Sequence, residues 1–315
     1  MADIIPVLQE EPQARLRRLA LEGISSNSTR RAYSAAMDEF LTWARYQIPA
    51  GFSKVLVQQY KSMLLEKRLA PSTINQRLAS VRRLAFEAAD NGLLDHSIAA
   101  AIGRVQGVRR CGIQLGHWLG KEDVERLLQV PGGASVRALR DGAILALLFG
   151  GGLRRGEAAI VTVEPFRIIE ERWVIVDLTG KHGRVRSVPI PSWTKRAVDE
   201  WTNATGITTG ILFRQIDKCG HMLVAPLGPQ TIYNIVRQHG AVVDPEVRPH
   251  DLRRSFARLA YENDASLEQL SMTLGHSSVA TTERYVGARQ NFRVAPCDLV
   301  KLNLNLGKKP ASDAA

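Results

Sequence analysis

The strongest constraint on this chain is the hydrophobic period of its first hundred residues, where apolar side chains recur every three to four positions rather than every two. That spacing lines one face of a helix and gives a strand no face to bury. In STRRAYSAAMDEFLTWARYQ, Tyr33, Met37, Phe40, Leu41 and Ala44 share a face, with Ser28 or Thr29 as the starting cap. SKVLVQQYKSMLLEKR predicts a second helix opened by Ser53. PSTINQRLASVRRLAFEAADNG predicts a third, with Pro71 and Ser72 at its start and Asn91-Gly92 at its end. Its buried stripe is Ile74, Leu78, Val81 and Leu84 or Ala85, which leaves Arg77, Arg82 and Arg83 to turn elsewhere. The expected product is a bundle of four or five short helices.

The period fades between Gly103 and Gly120, where GRVQGVRRCGIQLG collects four glycines and three arginines. A chain of 315 residues with 45% apolar composition suits two compact units, each with its own core. The second begins with KEDVERLLQV, RALRDGAILALLFGG and GLRRGEAAIV. Strand-like RWVIVDLTG and RVRSVPIP follow, joined through KHG as a hairpin, and the chain is helical again from PSWTKRAVDEWTNAT to SLEQLSMTLGH. The fold class is therefore mainly α with a small antiparallel β-sheet. The expected division is a flexible N-terminus at 1–24, a helical unit at 25–104, a basic linker at 105–117, a second unit at 118–292 and a tail at 293–315. In the tail, Leu302, Leu304 and Leu306 alternate with polar residues, a period of two that suits a short strand. It either packs as an edge strand on its own unit or adds a strand to a neighbouring protomer.

Between Arg15 and Arg110 sixteen Lys and Arg stand against seven Asp and Glu, so most of the formal charge of +11 lies in the first third of the chain. A cationic unit of this kind suits nucleic acid as partner. The N-terminal MADIIPVLQEEPQ carries acids and a proline where a secretory signal needs a basic end and an apolar run. The apolar stretch AILALLF falls short of the ~20 residues that cross a bilayer, so no membrane partner is expected. Cys111, Cys219 and Cys297 are odd in number, scattered and without CxxC spacing, which predicts structural thiols in a reducing cytoplasm, where the chain would associate with the nucleoid.

Four stretches of the second unit carry polar residues at suggestive spacing. GGLRRGE sets Glu157 one helical turn after Arg154, and RPHDLRRSFA sets His250 and Arg253 three apart, aimed into one space on a helix. TGKHGRVRSVP puts Lys181 at a hairpin tip, and LGHSSVATTERYV sets His276 nine positions ahead of Tyr285. Singly, each reads as an ion pair, a cap, an exposed lysine or a histidine near orphan carbonyls. In order, Arg154, Lys181, His250, Arg253, His276 and Tyr285 resemble the tyrosine recombinase family, the phage integrases and Xer-type recombinases. The resemblance covers about residues 25 to 290 and rests on GLRRGE, GKHGRVRSVP, HDLR and LGHSSVATTERY. STRRAYSAAMDEFLTWA and PSTINQRLASVRRLAFEA are similar to the family's helical, SAM-like core-binding domain. Three departures stand out. His182 replaces the glycine that usually follows the lysine, no arm-binding domain is expected ahead of the core-binding unit, and the extra segment of integron integrases is not evident.

The resemblance implies a metal-free and cofactor-free phosphoryl transfer. Arg154 and Arg253 would clamp the phosphodiester, whose charge two planar guanidiniums neutralise without magnesium. His250 and His276 would hydrogen-bond its oxygens, His250 also taking the phenol proton. Tyr285 would attack to form a 3′-phosphotyrosyl link, and Lys181 would protonate the departing 5′-oxygen. A 5′-hydroxyl of another strand then reverses the step through a Holliday junction. Glu157 would orient Arg154. The implied partners are double-stranded DNA with paired core sites and a homotetramer with two protomers per site, with accessory proteins allowed for. Arg77, Arg82, Arg83, Arg109, Arg110 and His182 are the DNA-contact candidates. Motif register alone favours Arg154 over Arg155 and Arg253 over Arg254, and Arg284 is expected to face away from the site. A type IB topoisomerase-like relaxing enzyme and a non-catalytic DNA-binding regulator remain as alternatives.

Overall fold

The computed structural model describes residues 10–47, 51–109, 117–180 and 183–287. Lys181, His182, Arg110, Cys111, Cys297 and the tail at 293–315 lie outside them. The chain divides into two compact units, Met1–Ile113 and Gln114–Ala315.

The first unit is a bundle of α1 (Glu10–Glu22), α2 (Asn27–Ala44), α3 (Lys54–Glu66), α4 (Pro71–Asp90) and α5 (His96–Gly103). Its core holds Met37, Phe40, Ile74, Leu78, Val81, Leu84 and Ala85 from the two expected stripes, joined by Tyr60 of α3. Phe40 meets Tyr60 edge-on at 5.0 Å between ring centroids, a geometry that suits opposed ring quadrupoles. Ser53 caps α3 as expected, its hydroxyl accepting from the Leu56 N–H at 3.3 Å. The cap of α2 is Ser26, not Ser28 or Thr29: its hydroxyl accepts from the Thr29 N–H.

Three expectations for this unit need correction. The segment expected to be flexible at 1–24 contains α1, because Leu16, Ala20 and Ile24 recur at helical spacing and Ala20 and Ile24 are buried. The basic linker at 105–117 starts too early. Val105 is buried in the first core, and Asn75 fastens Val108 by both backbone groups, at 2.9 and 2.7 Å. Nor are the three arginines of α4 free. Arg77 pairs with Glu39 at 2.9 Å, Arg82 donates to the Val105 carbonyl and Arg83 to the Ala20 carbonyl. They fix α2, α1 and the chain after α5 onto α4, since a buried backbone carbonyl needs a donor. Arg109 is exposed and lines, with Arg82 and Arg104, a cavity of about 470 Å³ beside this folded-back chain.

The second unit runs α6 (Lys121–Gln129), α7 (Val136–Gly150), α8 (Arg155–Ile160), β1 (Phe166–Ile169), β2 (Arg172–Thr179), β3 (Val185–Pro189), α9 (Ser192–Thr205), β4 (Arg214–Ile216), β5 (Met222–Pro226), α10 (Pro229–Gly240), α11 (Pro249–Glu262), α12 (Leu267–Leu274) and α13 (Val279–Val286). α7 is the central helix, with Ile144, Leu145, Leu147 and Leu148 all fully buried, as a helix apolar on every side must be. It packs on α9, whose Trp201 is buried and donates to the Leu212 carbonyl at 2.8 Å. β2 and β3 form the expected antiparallel hairpin, with β1 added on the far side of β2 to give the order β1-β2-β3. A separate two-stranded sheet, β4-β5, was not expected. No described helix is long and apolar enough to cross a membrane.

Candidate active site

Four stretches of the second unit meet in one place. The turn Gly150–Gly152 delivers Arg154 to the N-cap of α8. Gly152 has φ of +57°, and a Cβ there would stand 2.9 Å from the Phe256 ring, so the close turn demands glycine. Glu157, 4% exposed, accepts from the Arg154 backbone N–H at 2.9 Å and from its guanidinium at 2.7 Å. It also takes a bidentate pair from Arg186 of β3 at 2.9 and 2.8 Å. Burial pushes the Glu157 carboxyl up, but bonds from Arg186 and Arg154 overcome this and hold it at about 2. One carboxylate thus ties α8 to β3, and the Arg186 Nε–H carries the link on to the Thr273 carbonyl of α12 at 2.8 Å.

Arg253 lies on α11, 1% exposed, and donates to the carbonyls of Gly152 and Leu274. Arg154 reaches the carbonyl of Gly275 at 3.3 Å. Five donors on each guanidinium exceed these bonds, and the Arg253 Nε–H is buried with no partner among the described residues. Burial and then the charge of Arg154 lower Arg253 to about 10. It remains a cation at neutral pH.

His276 follows Gly275, which ends α12 in the left-handed conformation at φ of +62°. Its Nδ1 lies 2.8 Å from the hydroxyl of the buried Thr282. Tyr285 on α13 stands edge-on to His250 and His276, with ring centroids at 5.4 and 5.1 Å. Its hydroxyl is buried and has no hydrogen-bond partner among the described residues. Burial raises the phenol above its ordinary value, while Arg253, Arg254 and Arg154 pull it back. Enclosure, with the charges of Arg254, Arg253 and Arg154, drops His250 to about 4; its outer face is exposed, so the charges are the firmer of these causes. His276 falls to about 4 through burial and the charges of Arg253 and Arg154. Neutral imidazoles, cationic arginines and a protonated phenol therefore face one another.

Five of the six candidates from the sequence come together; the sixth, Lys181, lies outside the described residues. Of the neighbouring arginines, Arg155 and Arg284 turn away from the site and Arg254 does not. Arg155 is exposed and covers Tyr233 at 5.5 Å, Arg284 is exposed and bonds its own helix, and Arg254 rests on the Tyr285 ring at 5.3 Å. A cavity of about 440 Å³ opens beside Arg154, Arg186, Gly275 and His276. Sequence reading missed Arg186 and Thr282. Arg186 shares strand parity with the buried Val188, which is the signal that it points inward. Thr282 lies six residues past His276 and gives no local signal. Cys219, expected as a structural thiol, is exposed on the β4-β5 turn, where Asp217, Cys219 and His221 bring ligand atoms within 4.8 Å of one another. None of the six candidate site residues belongs to that trio.

Residues 117–291 match the model of the Phage integrase family. The chain is 26% identical to tyrosine recombinase XerC of Pseudomonas putida (strain W619) over 288 residues, 88% of this chain and 91% of that protein. It is 31% identical to tyrosine recombinase XerD of Xanthomonas campestris pv. campestris over 185 residues, 56% of each chain. In fold it is similar to the XerH site-specific recombinase bound to a palindromic difH substrate, with TM-score 0.69 and 17% identity, covering 87% of this chain and 81% of that one. A mainly helical chain whose catalytic-type unit matches the family model along its length, with arginines, histidines and a tyrosine gathered in one pocket, belongs to the phage integrase family of tyrosine recombinases.

Proposed function

We propose that this protein is a site-specific DNA recombinase that cuts and rejoins strands through a 3′-phosphotyrosyl intermediate. The observation that carries the reading is a set of buried polar atoms without partners among the described residues, the Tyr285 hydroxyl and the Nε–H groups of Arg253 and Arg254, gathered at one pocket. Buried donors of this kind call for a ligand that supplies acceptors, and a phosphodiester supplies negatively charged oxygens. Arg154 and Arg253 would hold its two non-bridging oxygens with the donors that their backbone bonds leave over. His250 and His276 would add hydrogen bonds. A neutral His250 beside the Tyr285 ring is in the protonation state that accepts the phenol proton.

Attack by the Tyr285 oxygen forms the phosphotyrosyl bond and breaks the bond to the 5′-oxygen, which takes a proton from Lys181, the general acid that the family resemblance implies. A 5′-hydroxyl from a second strand reverses the step and exchanges strands through a Holliday junction. The duplex partner is double-stranded DNA with paired core sites, engaged by a tetramer with two protomers per site. The DNA-bound solved relatives and the basic first unit support the DNA partner. Glu157 acts as a positioning residue, because both its oxygens serve Arg154 and Arg186.

The test is a plasmid bearing two sites. Recombinant circles are expected from the wild-type chain, and relaxed topoisomers alone would favour a topoisomerase-like enzyme. Tyr285→Phe should abolish the covalent protein–DNA adduct with DNA affinity within about twofold of wild type, since the phenol contributes little to phosphate charge neutralisation. An adduct that persists in this variant would overturn the assignment of the nucleophile.

A further inference from the structure

α13 spans only the eight residues Val279–Val286, too short to hold its form without neighbours. It carries Tyr285, so what fixes its end fixes the phenol. Thr282 and Val286 are buried, and Gly287 closes the helix by donating to the Glu283 carbonyl. The Val286 carbonyl, next in sequence to the tyrosine, accepts from the Arg258 guanidinium at 2.7 Å. Arg258 lies on α11, the helix that also supplies His250 and Arg253. Its Nε–H donates to Glu262 at 2.6 Å, which leaves the fork aimed at α13. The Trp118 ring covers the same guanidinium at 5.4 Å.

Trp118 belongs to a short stretch fastened along one stripe of α11. The Leu119 N–H donates to Ser255 at 2.7 Å, and His117 stands 2.9 Å from Asp244 and 3.7 Å from Asp251. Asp251, Ser255 and Arg258 follow at spacings of four and three, one face of a helix. The adjoining face presents His250, Arg253 and Arg254 to Tyr285. Arg258 is the member of the first stripe that also reaches the tyrosine helix.

We infer that Arg258 is a positioning residue for the nucleophile: its guanidinium, held by Glu262 and covered by Trp118, clamps the carbonyl end of the tyrosine helix and sets where the Tyr285 oxygen meets the phosphate. The reasons are the charge and the geometry. A cation at a helix C-terminus is favoured by the exposed carbonyls there, and a hydrogen bond one residue from the nucleophile limits its displacement more than a remote contact does. The inference rests on Tyr285 as the nucleophile, and the experiment separates the two.

Adduct formation is measured in a single turnover on nicked DNA at saturating concentration, with DNA affinity and thermal unfolding recorded beside it. Arg258→Met keeps the stem beside Trp118 and removes the donors; Arg258→Lys keeps the charge and one donor group. The expected order of rates is wild type, then Lys, then Met, with Met slowed about tenfold to a hundredfold and DNA affinity unchanged within about twofold. Replacing the bridging 5′-oxygen of the substrate by sulfur removes the need for a general acid, and the Met defect should persist on that substrate because attack itself is impaired. Wild-type rate in Arg258→Met, or full recovery on the sulfur substrate, overturns the inference. Should Arg258→Met not fold, Arg258→Lys decides: slowing of severalfold with intact affinity supports it, and wild-type rate overturns it. Tyr285→Phe run in parallel must give no adduct; if it gives one, the nucleophile is misassigned whatever the Arg258 variants show.

Discussion

Glu157 is a buried carboxylate shared by two guanidiniums, and its removal tests how much of the site is held by charge. Replacing one member of a buried ionic group leaves the others in a medium that solvates them poorly. Glu157→Gln is expected to lower the unfolding free energy by roughly 3–5 kcal/mol in urea titrations and to slow adduct formation, with Arg154 losing its fixed direction. The histidines give a prediction of opposite kind. His250 and His276 sit at about 4, against an ordinary value near 6.5, so between those pH values the unfolded chain binds more protons than the folded one. Stability of the second unit should therefore rise with pH across that window and fall as acid is added. A phosphodiester bound between the two imidazoles raises both, so DNA binding takes up protons. Affinity measured at constant ionic strength should strengthen from pH 7 towards pH 5, and the double variant His250→Gln/His276→Gln should flatten the trend. Affinity that is level with pH in the wild-type chain would count against a phosphate seated at these rings.

At the scale of elements, long periodic helices were legible and short compensated ones were not. The stripes of α2 and α4 stand where spacing put them, because burial of an apolar face dominates over local preference there. β1 was missed because its hairpin to β2 turns through Glu170 and Glu171 at φ of +48° and +61°, positions that Asn and Gly usually signal. β4 and β5 are three and five residues long and mostly exposed, so no alternation marks them. α1 was masked by its charges, since Arg15, Arg17 and Arg18 interrupt a short apolar stripe. Of the site, family motifs gave Arg154, His250, Arg253, His276 and Tyr285, but the groups that hold them, Arg186, Thr282 and Arg258, depend on which elements become neighbours. The glycine turn before α8 tests such a neighbour contact. Gly152→Ala must adopt a left-handed backbone and press on Phe256, at a cost of about 2 kcal/mol. A calorimetric melt of this variant should shift down by several degrees; an unchanged melting temperature would mean that the turn relaxes freely.

Across the whole molecule, net positive charge concentrates in one unit and the proposed chemistry in the other. Sixteen Lys and Arg against seven Asp and Glu lie between Arg15 and Arg110, whereas all six proposed catalytic residues lie beyond Gln114. Each unit has its own core, one built on Phe40, Tyr60 and Leu78, the other on Leu145, Trp201 and Phe213. The two should fold when produced as residues 1–113 and 114–315. Binding through phosphate contacts releases counterions, so its affinity falls steeply with salt, with a slope set by the number of contacts. The first unit alone is expected to bind duplex DNA with a salt slope that accounts for a large part of that of the full chain. The second alone should still form the Tyr285 adduct on nicked DNA, but only at DNA concentrations about a hundredfold higher, as loss of a few phosphate contacts implies. Arg109 and Arg104, exposed beside the chain that follows α5, are the cations expected to carry part of that difference. Arg104→Ala/Arg109→Ala in the full chain should weaken binding uniformly across DNA sequences and reduce the salt slope by about two, and a loss confined to one sequence would instead identify base readout.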